Sequence, residues 1–241
     1  YEILNDFHVF VHYYGYILNK NNSVASIVIE FMSNKTLLEF IDEKKIYKKG
    51  TKNEIKRIKI IISIVSQLYN LHSKEIIYRD LKPNNIFVDH NSNIGIGDFD
   101  SSRVLSKTHD LTKNIGTDLY SSPEMRNSEN YSYSTDIYSL GLIIYFIYTN
   151  KSLVLDQKGN TKQLFENRIT DETMREIYLK CLEKDPNKRP TAEQIFIDIF
   201  YELKRRGDDD SMSIINDIVL ENSPVIQHIM SKSTFEILHE Q

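Results

Sequence analysis

Asp80, Lys82 and Asn85 stand within six residues of one another, in the run Ile76-Ile77-Tyr78-Arg79-Asp80-Leu81-Lys82-Pro83-Asn84-Asn85-Ile86-Phe87-Val88. A carboxylate can take a proton, an ammonium can offset an anion, and an amide offers both a donor and an oxygen ligand. Thirteen residues after Asn85 comes a second carboxylate, Asp98, in Gly97-Asp98-Phe99-Asp100. An apolar pair leads into the polar run and an apolar triplet leads out, so the run reads as a tight loop between two buried β segments. Pro83 restricts the backbone between the charged positions. Asn91-Ser92-Asn93 is a turn signal between Ile86–Val88 and Ile94–Ile96. Pairing of those two strands would bring Asn85 and Asp98 together. Two oxygen ligands on adjacent strand ends suit Mg²⁺, which takes few protein ligands beside phosphate and water.

The elements around this loop can be read in the same way. Phe7–Leu18 and Val24–Phe31 are apolar, β-rich runs on either side of Asn19–Ser23, a hairpin signal. Leu37–Asp42 reads as a short helix capped by Thr36 or Asn34. Ile58, Ile61, Ile62, Val65, Leu68 and Leu71 recur at helical spacing between Glu54 and His72, a long helix that delivers the chain to the loop. His72, at its end, receives no chemical role. Ser134 to Tyr148, capped by Ser134, is apolar all round, as in a helix buried on every side. Met174, Ile177, Tyr178, Cys181 and Leu182 form a further stripe, capped by Thr170 or Asp171, and Cys181 on it reads as a small buried apolar residue. Thr191 to Gln194 is a capping box. Arg205–Ser211 reads as a linker, followed by apolar stripes at Ile214, Ile215, Ile218 and Val219 and at Val225, Ile226, Ile229 and Met230.

The bulk composition narrows the function classes. The chain has 241 residues, 40% hydrophobic and 27% charged, with a net charge of −4 and one cysteine. This is a globular composition without a disulfide framework, pointing to a reducing compartment, the cytoplasm. The charge is too small to argue for nucleic acid or a membrane surface as a partner. The lysine-rich stretch Lys44–Lys59 has interspersed carboxylates and reads as a solvated helix face. Leu140–Tyr148, the longest apolar run, is too short to cross a membrane, and no signal peptide is legible. Tyr1 in place of Met implies that upstream sequence has been removed.

Three motifs in order, Tyr78-Arg79-Asp80-Leu81-x-x-x-Asn85, Asp98-Phe99-Asp100 and Ser122-Pro123-Glu124, resemble the signature set of the eukaryotic-type protein kinases. The resemblance implies an α+β, protein-kinase-like fold. Residues 1–32 would be an incomplete β small lobe and hinge, 33–206 a mostly helical large lobe, and 207–241 a linker and helical extension. It implies ATP and Mg²⁺ as cofactors and a protein with a Ser/Thr acceptor as substrate. Asp80 would orient the acceptor hydroxyl and accept its proton, Lys82 would neutralise the migrating phosphoryl group, and Asn85 and Asp98 would hold Mg²⁺. Thr117 would bond both Asp80 and Lys82; with Lys82 it marks the Ser/Thr type. Ile29 would be the gatekeeper, Glu30 and Met32 would offer backbone groups to adenine, and Phe87 belongs with the nucleotide-binding positions. Arg79 would answer a phosphate on Ser101, Ser102, Ser106, Thr108 or Thr112. Asp136 would tie down the loop backbone, and Arg189 would pair with Glu124. The Gly116-Thr117-x-Leu119-Tyr120 wording is also similar to kinases of a translation-initiation factor.

The pattern departs from the family in four places. Tyr78 stands for His, in a role of packing on Phe99. Asp100 stands for Gly, which stiffens the turn and adds a carboxylate near the phosphates. No Gly-rich G-x-G-x-x-G and no V-A-I-K lysine occur in the 241 residues. The chain as given would bind ATP poorly, and the alternative reading is a catalytically inactive kinase-like binding or regulatory module. Oligomeric state is not encoded in these features.

Overall fold

The structure is a computed structural model that describes residues 13–20, 24–32, 35–104, 119–127, 132–151, 153 and 169–220. The expected strand residues Phe7 to His12, the loop residues Ser106, Thr108, Thr112 and Thr117, the alternative cap Asn34, and the stripe Val225–Met230 lie outside the described residues.

The chain begins with an antiparallel hairpin. Strand β1, Tyr13–Leu18, pairs with β2, Val24–Ile29, in the register Tyr16↔Ile27 and Ile17↔Ser26. β2 ends at Ile29 rather than at Phe31, so Glu30–Met32 leave the hairpin as irregular chain. The chain then meets the segment that follows the polar loop. Thr36 makes a β-bridge to Phe87, and Val88 N–H donates to Lys35 O at 3.0 Å. Helix α1, Leu37–Glu43, opens with Thr36 N–H donating to Glu39 Oε2 at 3.0 Å, a capping arrangement readable from the letters.

Helix α2, Thr51–Ser73, starts three residues before the expected Glu54. Gly50, at φ 145°, makes that earlier start possible, because its lack of Cβ permits a turn few residues adopt. Strands β3 (Ile76–Ile77), β4 (Ile86–Val88), β5 (Ile94–Ile96) and β6 (Arg103–Val104) follow. β4 pairs with β5 through Ile86↔Ile96 and Val88↔Ile94, and β3 pairs with β6. Gln67, fully buried on α2, clamps β5: its Nε2 donates to Ile94 O at 2.9 Å and its Oε1 accepts from Ile96 N–H at 2.7 Å.

The core gathers around helix α4, Ser134–Thr149, which follows the short α3, Pro123–Arg126. Every residue of α4 from Thr135 to Thr149 is buried, as its all-round apolar sequence requires. Ser134 is its first helical residue rather than its cap, and Ser132 Oγ accepts from Ser134 N–H at 3.4 Å. Helix α5, Glu172–Cys181, is capped by Asp171, whose Oδ1 accepts from Met174 N–H at 2.9 Å. It crosses α4 so closely that a Cβ on Gly141 would stand 2.8 Å from Cys181 Cβ. Burial pushes the Cys181 thiol up to about 12, which makes it packing rather than a nucleophile.

Helix α6, Ala192–Arg206, opens with the expected capping box at Thr191 and Gln194. The anticipated linker Arg205–Ser211 is not one. Arg205 and Arg206 complete α6 by pairing with Glu202, and Arg206 also reaches Asp171. Gly207, at φ 63°, closes the helix, and Asp208 Oδ1 caps helix α7, Asp209–Leu220, by accepting Ser211 N–H at 2.8 Å. α7 folds back on the lobe, with Ile214 and Ile215 buried and Asp217 paired to Lys59 of α2 at 2.7 Å. Among the described residues no helix is long and apolar enough to cross a membrane.

Candidate active site

The loop Tyr78–Asn85 is hung from α4. Asp136, with no solvent exposure, accepts Tyr78 N–H at Oδ2 (2.9 Å) and Arg79 N–H at Oδ1 (2.8 Å). His72 Nε2 lies 2.9 Å from the same Oδ2, and since a carboxylate only accepts, the ring nitrogen carries the hydrogen. Arg79 sits at φ 74°, a strained conformation for a long side chain. The Asp136 bonds across residues 78 and 79 hold that backbone in place.

Within the loop, Asp80 is clasped from two sides. Lys82 Nζ donates to Asp80 Oδ1 and Oδ2 at 2.8 and 2.9 Å. Asn85 Nδ2 donates to Asp80 Oδ2 at 2.8 Å and to its backbone O at 3.0 Å. The 3₁₀ turn Pro83–Asn85, with Pro83 at its start, makes this closure possible. The Asp80 side chain remains 19% exposed, enough to meet an incoming hydroxyl.

Asp98 stands just past β5, its side chain exposed, at φ 56°. Gly97 N–H donates to Asn85 O at 3.0 Å, so Asn85 and Asp98 leave the β4–β5 ribbon at the same end. Burial holds the Tyr78 hydroxyl well above its ordinary value, and the charges of Asp80 and Asp98 both push it further the same way. One phenol therefore feels both carboxylates. That ring is fully buried, makes a T-shaped contact with Phe99 at 5.3 Å between centroids, and donates its hydroxyl to Gly97 O. The substitution of Tyr for His at position 78 thus serves as packing. Asp100 is exposed and its φ is not positive, so this turn does not need glycine's freedom.

Ile29, at the end of β2, is 40% exposed; Glu30 and Met32 are half-buried on the segment that follows, and Phe87 is half-buried on β4 beside its bridge to Thr36. Thr117 lies outside the described residues. The donor set fits Mg²⁺: an amide oxygen and a carboxylate at one ribbon end are hard ligands, and Mg²⁺ takes few protein ligands beside phosphate and water. No group of three His, Cys, Asp or Glu that could hold a metal occurs among the described residues.

Below the loop, Arg189 Nη1 and Nη2 donate to Glu124 Oε1 and Oε2 at 2.6 and 3.0 Å, and Nη1 also reaches Ser134 O at 2.9 Å. Burial alone would raise the Glu124 carboxyl, but the Arg189 hydrogen bonds and the groups around it outweigh that and hold it below its usual range. The sequence named His72 without its partner Asp136, and it did not mark Gln67. Gln67 carried a signal, a polar residue on the buried stripe between Ile64 and Leu71. His72 carried none in its own neighbourhood, because its partner Asp136 is 64 residues away.

A model of the protein kinase domain matches residues 3–200. A probable serine/threonine-protein kinase of Dictyostelium discoideum is 31% identical over 198 residues, covering 76% of this chain and 14% of that protein. Serine/threonine-protein kinase Nek9 of Xenopus laevis is 28% identical over 218 residues, 85% of this chain and 22% of its own length. Nek2 of Homo sapiens is 28% identical over 205 residues, 77% of this chain and 44% of its own. The chain therefore spans less than half of each of these relatives. With that match over most of its length, and a loop whose backbone, aspartate, lysine and asparagine are arranged as described, the chain belongs to the eukaryotic-type protein kinases, on the serine/threonine side.

Proposed function

We propose that this domain transfers the γ-phosphoryl group of ATP to a serine or threonine hydroxyl of a protein. The observation that carries the reading is the Asp80 carboxylate, fixed by Lys82 and Asn85 on a loop suspended from Asp136. Asp80 orients the acceptor hydroxyl and takes its proton. Lys82, already beside that carboxylate, offsets charge on the phosphoryl group in flight. Asn85 and Asp98 would hold Mg²⁺, which when bound would supply charge neutralisation on the phosphates. Ile29, Glu30, Met32 and Phe87 line the adenine side. The single buried thiol fits a reducing, cytoplasmic setting. The wording shared with kinases of a translation-initiation factor makes that factor the first acceptor to try.

The test is transfer of label from γ-labelled ATP by the intact gene product, followed by phosphoamino-acid analysis. Phosphoserine or phosphothreonine that depends on Mg²⁺ supports the reading; labelled tyrosine alone, or none, contradicts it. Asp100, a carboxylate where the family has glycine, favours a second reading as a non-catalytic kinase-like module. A folded protein whose melting temperature does not move with millimolar Mg·ATP would favour that module.

A further inference from the structure

The loop joining α1 to α2, with the first turns of α2, carries an unusual arrangement of charge. Lys45, Lys48, Lys49, Lys52 and Lys56 fall within twelve residues, all exposed. None of the five ammonium groups is in an ion pair among the described residues. The lysines on either side are engaged, Lys44 with Glu43 at 3.5 Å and Lys59 with Asp217 at 2.7 Å. Glu54, the one carboxylate inside the stretch, is turned inward to Arg57 at 2.6 Å and to the Tyr148 hydroxyl. The patch is thus five positive charges with no ion-pair partner among the described residues, on a chain whose net charge is −4.

The backbone that carries them is fixed. Arg57 is only 2% exposed, and its Nη1 donates to Ile46 O at 2.7 Å and Lys48 O at 3.2 Å. Asn53 Nδ2 donates to Lys48 O at 3.0 Å, and Ile46 is buried beneath the loop. A solubilising lysine face needs no such anchoring. Here a buried guanidinium holds the backbone that bears the charges, so a partner meets them without first ordering the loop.

We infer that this loop is a docking surface for an acidic segment of a protein partner. The inference deepens the phosphotransfer reading by naming the chemistry of the acceptor protein. α1 packs against the Pro83–Asn85 turn of the catalytic loop and is seven residues long, so the patch begins roughly 10 Å beyond that turn. An acceptor protein with carboxylates near its hydroxyl would span that gap. Nucleic acid fits less well. The one aromatic in the stretch, Tyr47, is half-buried against the core and offers no stacking face. Asp42 and Glu43 at one end and Asp217 at the other confine the positive surface to a length that suits a short acidic run.

The experiment measures anisotropy of a fluorescein-labelled peptide of six glutamates on the full chain, without ATP. The comparison is with the variant Lys45→Gln/Lys48→Gln/Lys49→Gln/Lys52→Gln/Lys56→Gln and with a control, Lys184→Gln/Lys188→Gln, outside the patch. The expected result is affinity at least about tenfold weaker in the five-site variant, unchanged in the control, and falling with added salt. Equal affinity in the five-site variant, or tighter binding of a hexanucleotide than of the peptide, overturns the docking surface. A second arm compares KM for acceptor peptides with and without the acidic run. A lower KM with the run, lost in the five-site variant at unchanged kcat, supports docking during turnover, and the same KM for both peptides overturns it. Peptide binding without phosphate transfer by the native chain would leave the docking surface standing while the catalytic reading failed.

Discussion

Asp136 holds two backbone N–H groups and a histidine with one buried carboxylate, so three parts of the chain depend on it. His72 acts through it as a positioning residue. Replacing His72 by Ala is expected to lower kcat several-fold while leaving KM for ATP unchanged, with partial recovery in His72→Asn, which keeps a donor; steady-state kinetics on the three proteins checks this. The Glu124–Arg189 pair makes a different demand. Arg189→Met leaves a buried carboxylate alone and should cost about 3–5 kcal/mol of unfolding free energy, measured by urea melts. The Glu124 carboxyl titrates below its ordinary range when folded, so the unfolded chain binds that proton more tightly. Its contribution is therefore complete above the unfolded value, about 4.3, and is lost as pH falls through the lower folded one. The gap in melting temperature between the native chain and Glu124→Gln should be widest near neutral pH and should close in acid.

At the level of elements, α7 packs against α6 and α2. Its Ile214 and Ile215 are buried, and burial of two such side chains contributes about 3–6 kcal/mol. Ending the chain after Gly207 should lower the melting temperature by roughly 5–15 °C in calorimetry. The α4–α5 crossing has no spare room, and Gly141→Ala should destabilise by about 1–3 kcal/mol, since a Cβ there meets Cys181 and Leu182. Much of this level was readable from letters: α4 from its continuous apolar run, α6 from Thr191 and Gln194, and the β4–β5 ribbon from the Asn-rich turn. The ends were less readable. α2 begins earlier because Gly50 and Arg57 shape the preceding loop, and Arg205–Arg206 stay helical because Glu202 and Asp171 receive them, which a charged, Gly-containing stretch does not announce.

Across the whole molecule, one apolar helix at the centre supports a polar loop at the edge of the core, and the chemistry depends on that support. Sequence spacing brings Asp80, Lys82 and Asn85 together because they share one short loop, and sets Asp98 near Asn85 because β4 pairs with β5. It could not locate the anchors, Gln67 and His72, whose partners come from other elements. The account turns on Asp80 as the group that takes the acceptor proton. Its most direct test is the single-turnover rate of phosphate transfer to a serine peptide by Asp80→Asn, with Mg·ATP affinity measured on the same sample. The structure predicts a rate lower by about 10²–10⁴-fold at unchanged nucleotide affinity, and transfer at the native rate would contradict it.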